Sequence, residues 1–173
     1  MAPVSISESL KRDHEKILRE GERLEELLLR LRYEGKVWLG KNMKGIQSVI
    51  EFFKGPCLSH LAFEEETLFP FLVTHIPKLE PLICLLQGEH EDFKKNLHGL
   101  DFLRKEFVEE REESERAILR ERLRNEGAYL MGLLQSHIRA EEESIYQISE
   151  KELQWDEKEE LERKIEEHRK LGR

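Results

Sequence analysis

An eleven-residue stretch occurs twice in this chain, and that repetition constrains the fold more than any other feature. Ser59-His60-Leu61-Ala62-Phe63-Glu64-Glu65-Glu66-Thr67-Leu68-Phe69 aligns with Ser136-His137-Ile138-Arg139-Ala140-Glu141-Glu142-Glu143-Ser144-Ile145-Tyr146; five of eleven positions are identical and four more are conservative. The offset is 137 − 60 = 77, and Asp13-His14-Glu15 and Glu89-His90-Glu91 repeat at nearly the same offset, 90 − 14 = 76. Each half holds one histidine, then a His-x-x-x-Glu. A duplicated hairpin related by an approximate two-fold axis is the simplest architecture that produces this.

The segments that carry the repeat have helical periodicity. From about residue 7 to 34, Leu10, Ile17, Leu24, Leu27, Leu28 and Leu31 recur at threes, fours and sevens, and Gly35 is a natural stop. A second helix is predicted from near Lys41 to Leu72, with a kink or short break at Gly55-Pro56, where proline removes one backbone hydrogen bond. His75 through Pro81 reads as a connector, followed by helices from Leu82 to about Arg111 and from about Glu115 to Ile148. A final helix, Asp156 to Leu171, opens on the capping-box-like Asp156-x-x-Glu159 and is polar nearly all round, so it is expected to lie on the bundle. Ten glycines and five prolines in 173 residues leave few turn signals, which argues against a sandwich or barrel and for a few long helices. The predicted fold is all-α: an up-down-up-down four-helix bundle over residues 1–148 and a short helical tail over 149–173.

Charge narrows the partners. With 29 Lys+Arg against 37 Asp+Glu, the formal charge of −8 argues against nucleic acid, whose phosphates require clustered cations. The opening MAPVSISESL has neither a basic nor an apolar signal region, and no apolar run is long enough to span a membrane. Cys57 and Cys84 form no CxxC and no disulfide framework, so a cytoplasmic location is expected. Nothing in the pattern specifies a protein partner.

Residues four apart on a helix project from one face, so His60 with Glu64, and His137 with Glu141, can reach a common point. With His14 and His90 they aim four imidazoles and two carboxylates inward. Such a mixed set suits iron, manganese or zinc and is too large for one tetrahedral zinc; it suits two ions bridged by the carboxylates. His75, His98 and His168 have no counterpart in the repeat and are read as structural. Cys57, one turn before His60, is read as a small buried apolar residue. Leu61, Phe63, Leu68, Phe69, Ile138 and Ile145 would surround the site, while Glu65, Glu66, Glu142 and Glu143 are expected to be solvated. Tyr129 and Tyr146 are the candidate donors to a bridging or exogenous oxygen, and Tyr146 replaces Phe69 in the second copy.

Over about residues 7 to 148 these motifs resemble the hemerythrin-like, or HHE cation-binding, family: Asp13-His14, His60-x-x-x-Glu64-Glu65 with Leu68-Phe69-Pro70, Glu89-His90-Glu91, and His137-x-x-x-Glu141-Glu142. The resemblance implies a non-haem di-iron centre with His14, His60, His90 and His137 as terminal ligands and Glu64 and Glu141 as bridges, and with Glu142 as the reserve for the second bridge. The oxygen-carrying hemerythrins have a further histidine where this chain has Lys94, so reversible oxygen carriage is not implied. The four-His, two-Glu set looks more like that of the iron–sulfur cluster repair proteins and of an iron-sensing ubiquitin-ligase subunit. Because 13 residues precede His14, the chain reads as a stand-alone domain. With an oxo or hydroxo bridge, each octahedral iron keeps one open position for O2, NO, peroxide or incoming iron; zinc or manganese are the substitute ions. The expected role is sensing, storing or donating iron, or responding to O2 or NO. A ferritin-like oxidase or peroxidase is the second reading, ranked lower because those proteins place Glu before His at i, i+3. A metal-independent interaction module using the charged Glu106–Glu126 region is the third.

Overall fold

The computed structural model describes residues 5–172. Met1–Val4, part of the opening stretch read for targeting signals, and Arg173 lie outside it. Four long helices follow in order: α1 (Ile6–Tyr33), α2 (residues 36–75), α3 (Glu80–Glu109) and α4 (residues 113–152), then a shorter α5 (Trp155–Leu171). No strand occurs among the described residues.

Cross-helix pairs fix the directions. His14 meets His60 while Glu34 meets Asn42, so α1 and α2 run antiparallel. Glu65 meets His90 while Asp101 meets Lys54, so α2 and α3 do too. His137 on Glu89 and Arg116 over Phe107 orient α4 against α3, and Glu142 on His14 with Glu150 on Ser5 orient it against α1. This is the expected up-down-up-down bundle. Where α1 crosses α4 the backbones come close: a Cβ on Gly127 would stand 2.3 Å from Leu28 Cδ1, and one on Gly21 would stand 2.1 Å from Met131 Sδ.

The core divides into two apolar clusters. One, from Ile17, Leu24 and Ile46 to Phe107 and Leu134, fills the end near the α1–α2 and α3–α4 turns. The other, from Leu10 and Phe63 to Leu86 and Ile145, fills the opposite end, and α5 closes it with buried Leu161 and Ile165. In the sequence α5 looked polar all round; two apolar residues one turn apart suffice to seat it. His75 reinforces the seat through a 2.8 Å hydrogen bond to Glu157.

The boundaries depart from expectation in instructive ways. α2 begins at Lys36, five residues early, because Lys36, Val37 and Trp38 form an exposed first turn that apolar periodicity does not register. The connector ends before Glu80, and Pro81 sits in the first turn of α3, where a missing N–H costs nothing. The capping box of α5 is built by Gln154 and Glu157, not by Asp156 and Glu159. At Gly55-Pro56 the helix continues through a π-helical turn, Phe53–Cys57, which absorbs the lost hydrogen bond of Pro56. Two more π turns, Glu64–Leu68 and Glu141–Ile145, were not anticipated, and each begins on a glutamate of the repeat.

Candidate metal centre

Between the two apolar clusters lies a polar layer to which every long helix contributes at the same level. His14 stands between Leu10 and Ile17, His90 between Leu86 and Phe93, His60 and Glu64 beside Leu61 and Phe63, and His137 and Glu141 between Leu134 and Ile145. All six are buried, and both carboxylates are 0% exposed. Their donor atoms form two groups, His14–His60–Glu64–Glu141 and Glu64–His90–His137–Glu141, in each of which the ligating atoms lie within 4.8 Å of one another. The two glutamates are common to both groups. One cause is local: the π turns start at Glu64 and Glu141, so each helix widens where its carboxylate enters the layer.

The imidazoles are oriented from outside. His14 Nδ1 donates to Glu142 at 3.0 Å and His90 Nδ1 to Glu65 at 2.8 Å. His137 Nδ1 donates to Glu89 at 2.7 Å, and His60 Nδ1 faces Asp13 at 3.6 Å. These partners obey the two-fold relation of the repeat. A proton on Nδ1 leaves the Nε2 lone pair pointing inward. The Nε2 atoms meet in pairs, His14 with His60 at 3.1 Å and His90 with His137 at 3.0 Å.

The carboxylates face the same space. Glu64 Oε2 lies 3.3 Å from His90 Nε2, and the Glu141 oxygens lie 3.2 Å from His14 Nε2 and 3.3 Å from His137 Nε2. Yet none of these three oxygens accepts a hydrogen bond of acceptable geometry. Close approach without an N–H between the atoms means that lone pairs converge on a common volume. An ionised carboxylate buried without partners is costly, and cations shared between nitrogen and oxygen donors remove that cost. The donor set therefore fits a pair of metal ions.

In the metal-free chain, protons answer the same demand. Burial pulls the imidazoles down, but the nearby carboxylates overcome it: the proximity of Glu141 and Glu64 raises His14 to about 9, the Glu64 charge raises His60 to about 10, and Glu141 raises His137 to about 9. Glu64 is held well below its ordinary value: burial pushes it up, but the charge of His60 together with the surrounding imidazoles of His14, His60 and His90 outweighs that effect. Burial pushes the Cys57 thiol up; it is fully enclosed and belongs to neither donor group, as expected of a small core residue.

Several sequence expectations are corrected. Glu65 and Glu142 are not merely solvated: only 26% and 30% exposed, they hold the outer nitrogens of His90 and His14. Glu142, the reserve bridge, belongs to neither donor group. Glu66 and Glu143 are exposed as expected. Glu89 orients His137 through a hydrogen bond and Asp13 faces His60 at 3.6 Å; their duplicated place beside a histidine is the sequence signal for both. Lys94 reaches outward to Glu65 at 3.0 Å and Glu91 at 2.8 Å. Tyr129 is 54% exposed and remote from any donor role, whereas Tyr146 is 3% exposed, its hydroxyl 3.1 Å from His14 Nε2. Burial and the charges of Glu141 and Glu64 raise the phenol well above its ordinary value.

A cleft of ≈ 550 Å³ lined by Asp13, Lys16, His60, His168 and Arg169 reaches the His60 side of the layer. A second, lined by Lys11, Glu142 and Tyr146, reaches the His14 side.

Four antiparallel helices enclosing a buried imidazole–carboxylate layer define a cation-binding helical bundle. The family model of the hemerythrin HHE cation binding domain matches residues 5–149, and the chain belongs to that family. A search of curated proteins found no match to the chain. No helix among the described residues is long and apolar enough to cross a membrane.

Proposed function

We propose that this chain binds two iron ions and uses them to sense, store or donate iron, or to respond to O2 or NO. The observation that carries the reading is the convergence of three orphaned carboxylate oxygens, on Glu64 and Glu141, with the inward Nε2 atoms of His14, His60, His90 and His137. In this reading the histidines are terminal ligands, two per ion, and Glu64 and Glu141 are bridges. A harder nitrogen and oxygen set favours iron, manganese or zinc over soft-metal ions.

Bound iron would supply affinity for small diatomic ligands and one-electron chemistry. The chain supplies the rest. Glu142, Glu65 and Glu89 fix the rotation and tautomer of His14, His90 and His137, which raises their basicity toward a cation, and the Asp13 charge faces His60 from the same side. Phe69, Leu68, Ile138 and Ile145 wall the layer with apolar surface and exclude bulk water. Glu64 and Glu141 neutralise charge inside that dry layer. In this reading the four long helices form the metal-holding unit, and α5 covers the end beyond it. Two free cysteines accord with a reducing, cytoplasmic setting.

The test is metal analysis with an absorption spectrum, before and after exposure to O2, NO and peroxide. About two irons per chain with near-ultraviolet charge-transfer bands of a bridged pair are expected. Protein from iron-supplemented cells with a small fraction of one iron per chain would overturn the reading. Steady-state peroxide consumption would move it to the oxidase or peroxidase alternative.

A further inference from the structure

The duplication that builds the centre is broken by one atom inside it. Phe69 and Tyr146 are equivalent in the repeat, and their rings are placed alike. Phe69 stacks on His90 with centroids 5.7 Å apart and an interplanar angle of 24°; Tyr146 stacks on His14 at 5.5 Å and 14°. The hydroxyl is the difference, and it points into the donor layer, 3.1 Å from His14 Nε2 and 3.5 Å from Glu64 Oε1.

Those separations have a meaning for coordination. Donors bound to one octahedral ion at about 2.0–2.2 Å lie about 3.0 Å apart when adjacent and about 4.2 Å apart when opposite. In the first donor group, His14 to His60 is 3.1 Å, His60 to Glu64 is 2.9 Å and His14 to Glu141 is 3.2 Å, all of the adjacent kind. His14 to Glu64, at 3.9 Å, is of the opposite kind. The Tyr146 oxygen lies 3.1 Å from one end of that axis and 3.5 Å from the other, in both cases closer to the adjacent than to the opposite spacing. That is the place a further vertex of the same polyhedron would take. The second group has the corresponding nitrogen–nitrogen and nitrogen–oxygen spacings, 3.0, 3.3 and 3.3 Å, and in place of the phenol oxygen it has the bare edge of Phe69.

We propose that Tyr146 is a ligand to the ion held by His14 and His60, so that the open position for a small exogenous ligand belongs to the ion held by His90 and His137, beneath Phe69. The inference rests on the two-iron reading above. Ligation breaks the Tyr146 O–H bond and forms an oxygen–iron(III) bond; the proton leaves to solvent on the side of the Lys11–Glu142 cleft, and no electron is transferred. The centre is thus asymmetric although its imidazoles and carboxylates are symmetric.

The experiment uses the full chain, loaded with ferrous iron and oxidised in air, and reads iron content, resonance Raman excited in the visible, and azide titration. Wild type should show phenolate ring modes coupled to a visible charge-transfer band and bind about one azide per chain. Tyr146→Phe should keep both irons and the near-ultraviolet bands, lose the phenolate modes, and bind about two azides per chain. Phe69→Tyr should strengthen the phenolate modes about twofold and abolish azide binding. Two irons with bridge bands but no phenolate modes in wild type would overturn the Tyr146 assignment alone. Absence of iron in wild type would overturn the two-iron reading beneath it.

Discussion

Glu65 and Glu142 each follow a buried glutamate by one residue, and that single step separates two roles. Glu64 and Glu141 enter the layer, while Glu65 and Glu142 remain a quarter exposed and take the Nδ1 protons of His90 and His14. Because each carboxylate fixes the tautomer that aims Nε2 inward, its loss weakens cation binding without removing a donor atom. Glu65→Ala and Glu142→Ala are each expected to lower metal affinity by about 10–100-fold. Competition against a chromophoric chelator measures this, and unchanged helical circular dichroism separates it from unfolding. The donor residues themselves were legible in the sequence because the repeat states them twice. Their outer partners were not, because a Glu-Glu-Glu run gives no sign of which carboxylate faces in, which faces an imidazole and which faces water.

At the scale of elements, the helices were legible from periodicity, but their starts and irregularities were not. Lys36-Val37-Trp38 is helical and exposed, so the pattern that reveals α2 is blind to its first turn. The π turns at Glu64–Leu68 and Glu141–Ile145 leave no signature in composition; they follow from the need to bring carboxylates from opposed helices to one volume. Glycines in helix interiors separate local propensity from packing. Around Gly99, in α3, a Cβ would meet nothing within 4 Å, so Gly99→Ala should stabilise the chain by about 0.5–1 kcal/mol. At Gly127 the same Cβ would stand 2.3 Å from Leu28, and the overpacking, about 1–3 kcal/mol, should equal or exceed the gain in propensity. Urea denaturation of the two variants checks the contrast; equal shifts would show that the α1–α4 crossing is not tight.

For the whole molecule, the metal layer ties all four long helices at mid-height, between two apolar clusters that do not otherwise merge. Binding energy at such a layer adds directly to folding stability. Without metal, the stabilising groups are protonated His14, His60 and His137, whose folded values of about 9, 10 and 9 lie above the ordinary histidine value of 6.5. A raised folded value contributes stability that is complete below pH 6.5 and is lost as pH rises through 9 to 10. Chelated protein should therefore melt at progressively lower temperature from neutral pH to pH 10, whereas loaded protein should not. Metal uptake near neutrality should release protons and tighten as pH rises. Scanning calorimetry across that range, with and without chelator, reads both; parallel curves would refute the coupling.

By itself the sequence determined the helical bundle, the duplication and the inward set of His14, His60, Glu64, His90, His137 and Glu141, since periodicity and spacing are local properties that a linear pattern records. The tertiary structure decided which carboxylates orient which imidazoles, how α5 closes one end, and that Tyr146, not Tyr129, brings its oxygen among the donors. Those outcomes depend on contacts between residues separated by 25 to 132 positions, such as His90 with Glu65 and His14 with Tyr146. Such contacts are selected by packing across the bundle, which no spacing along the chain encodes.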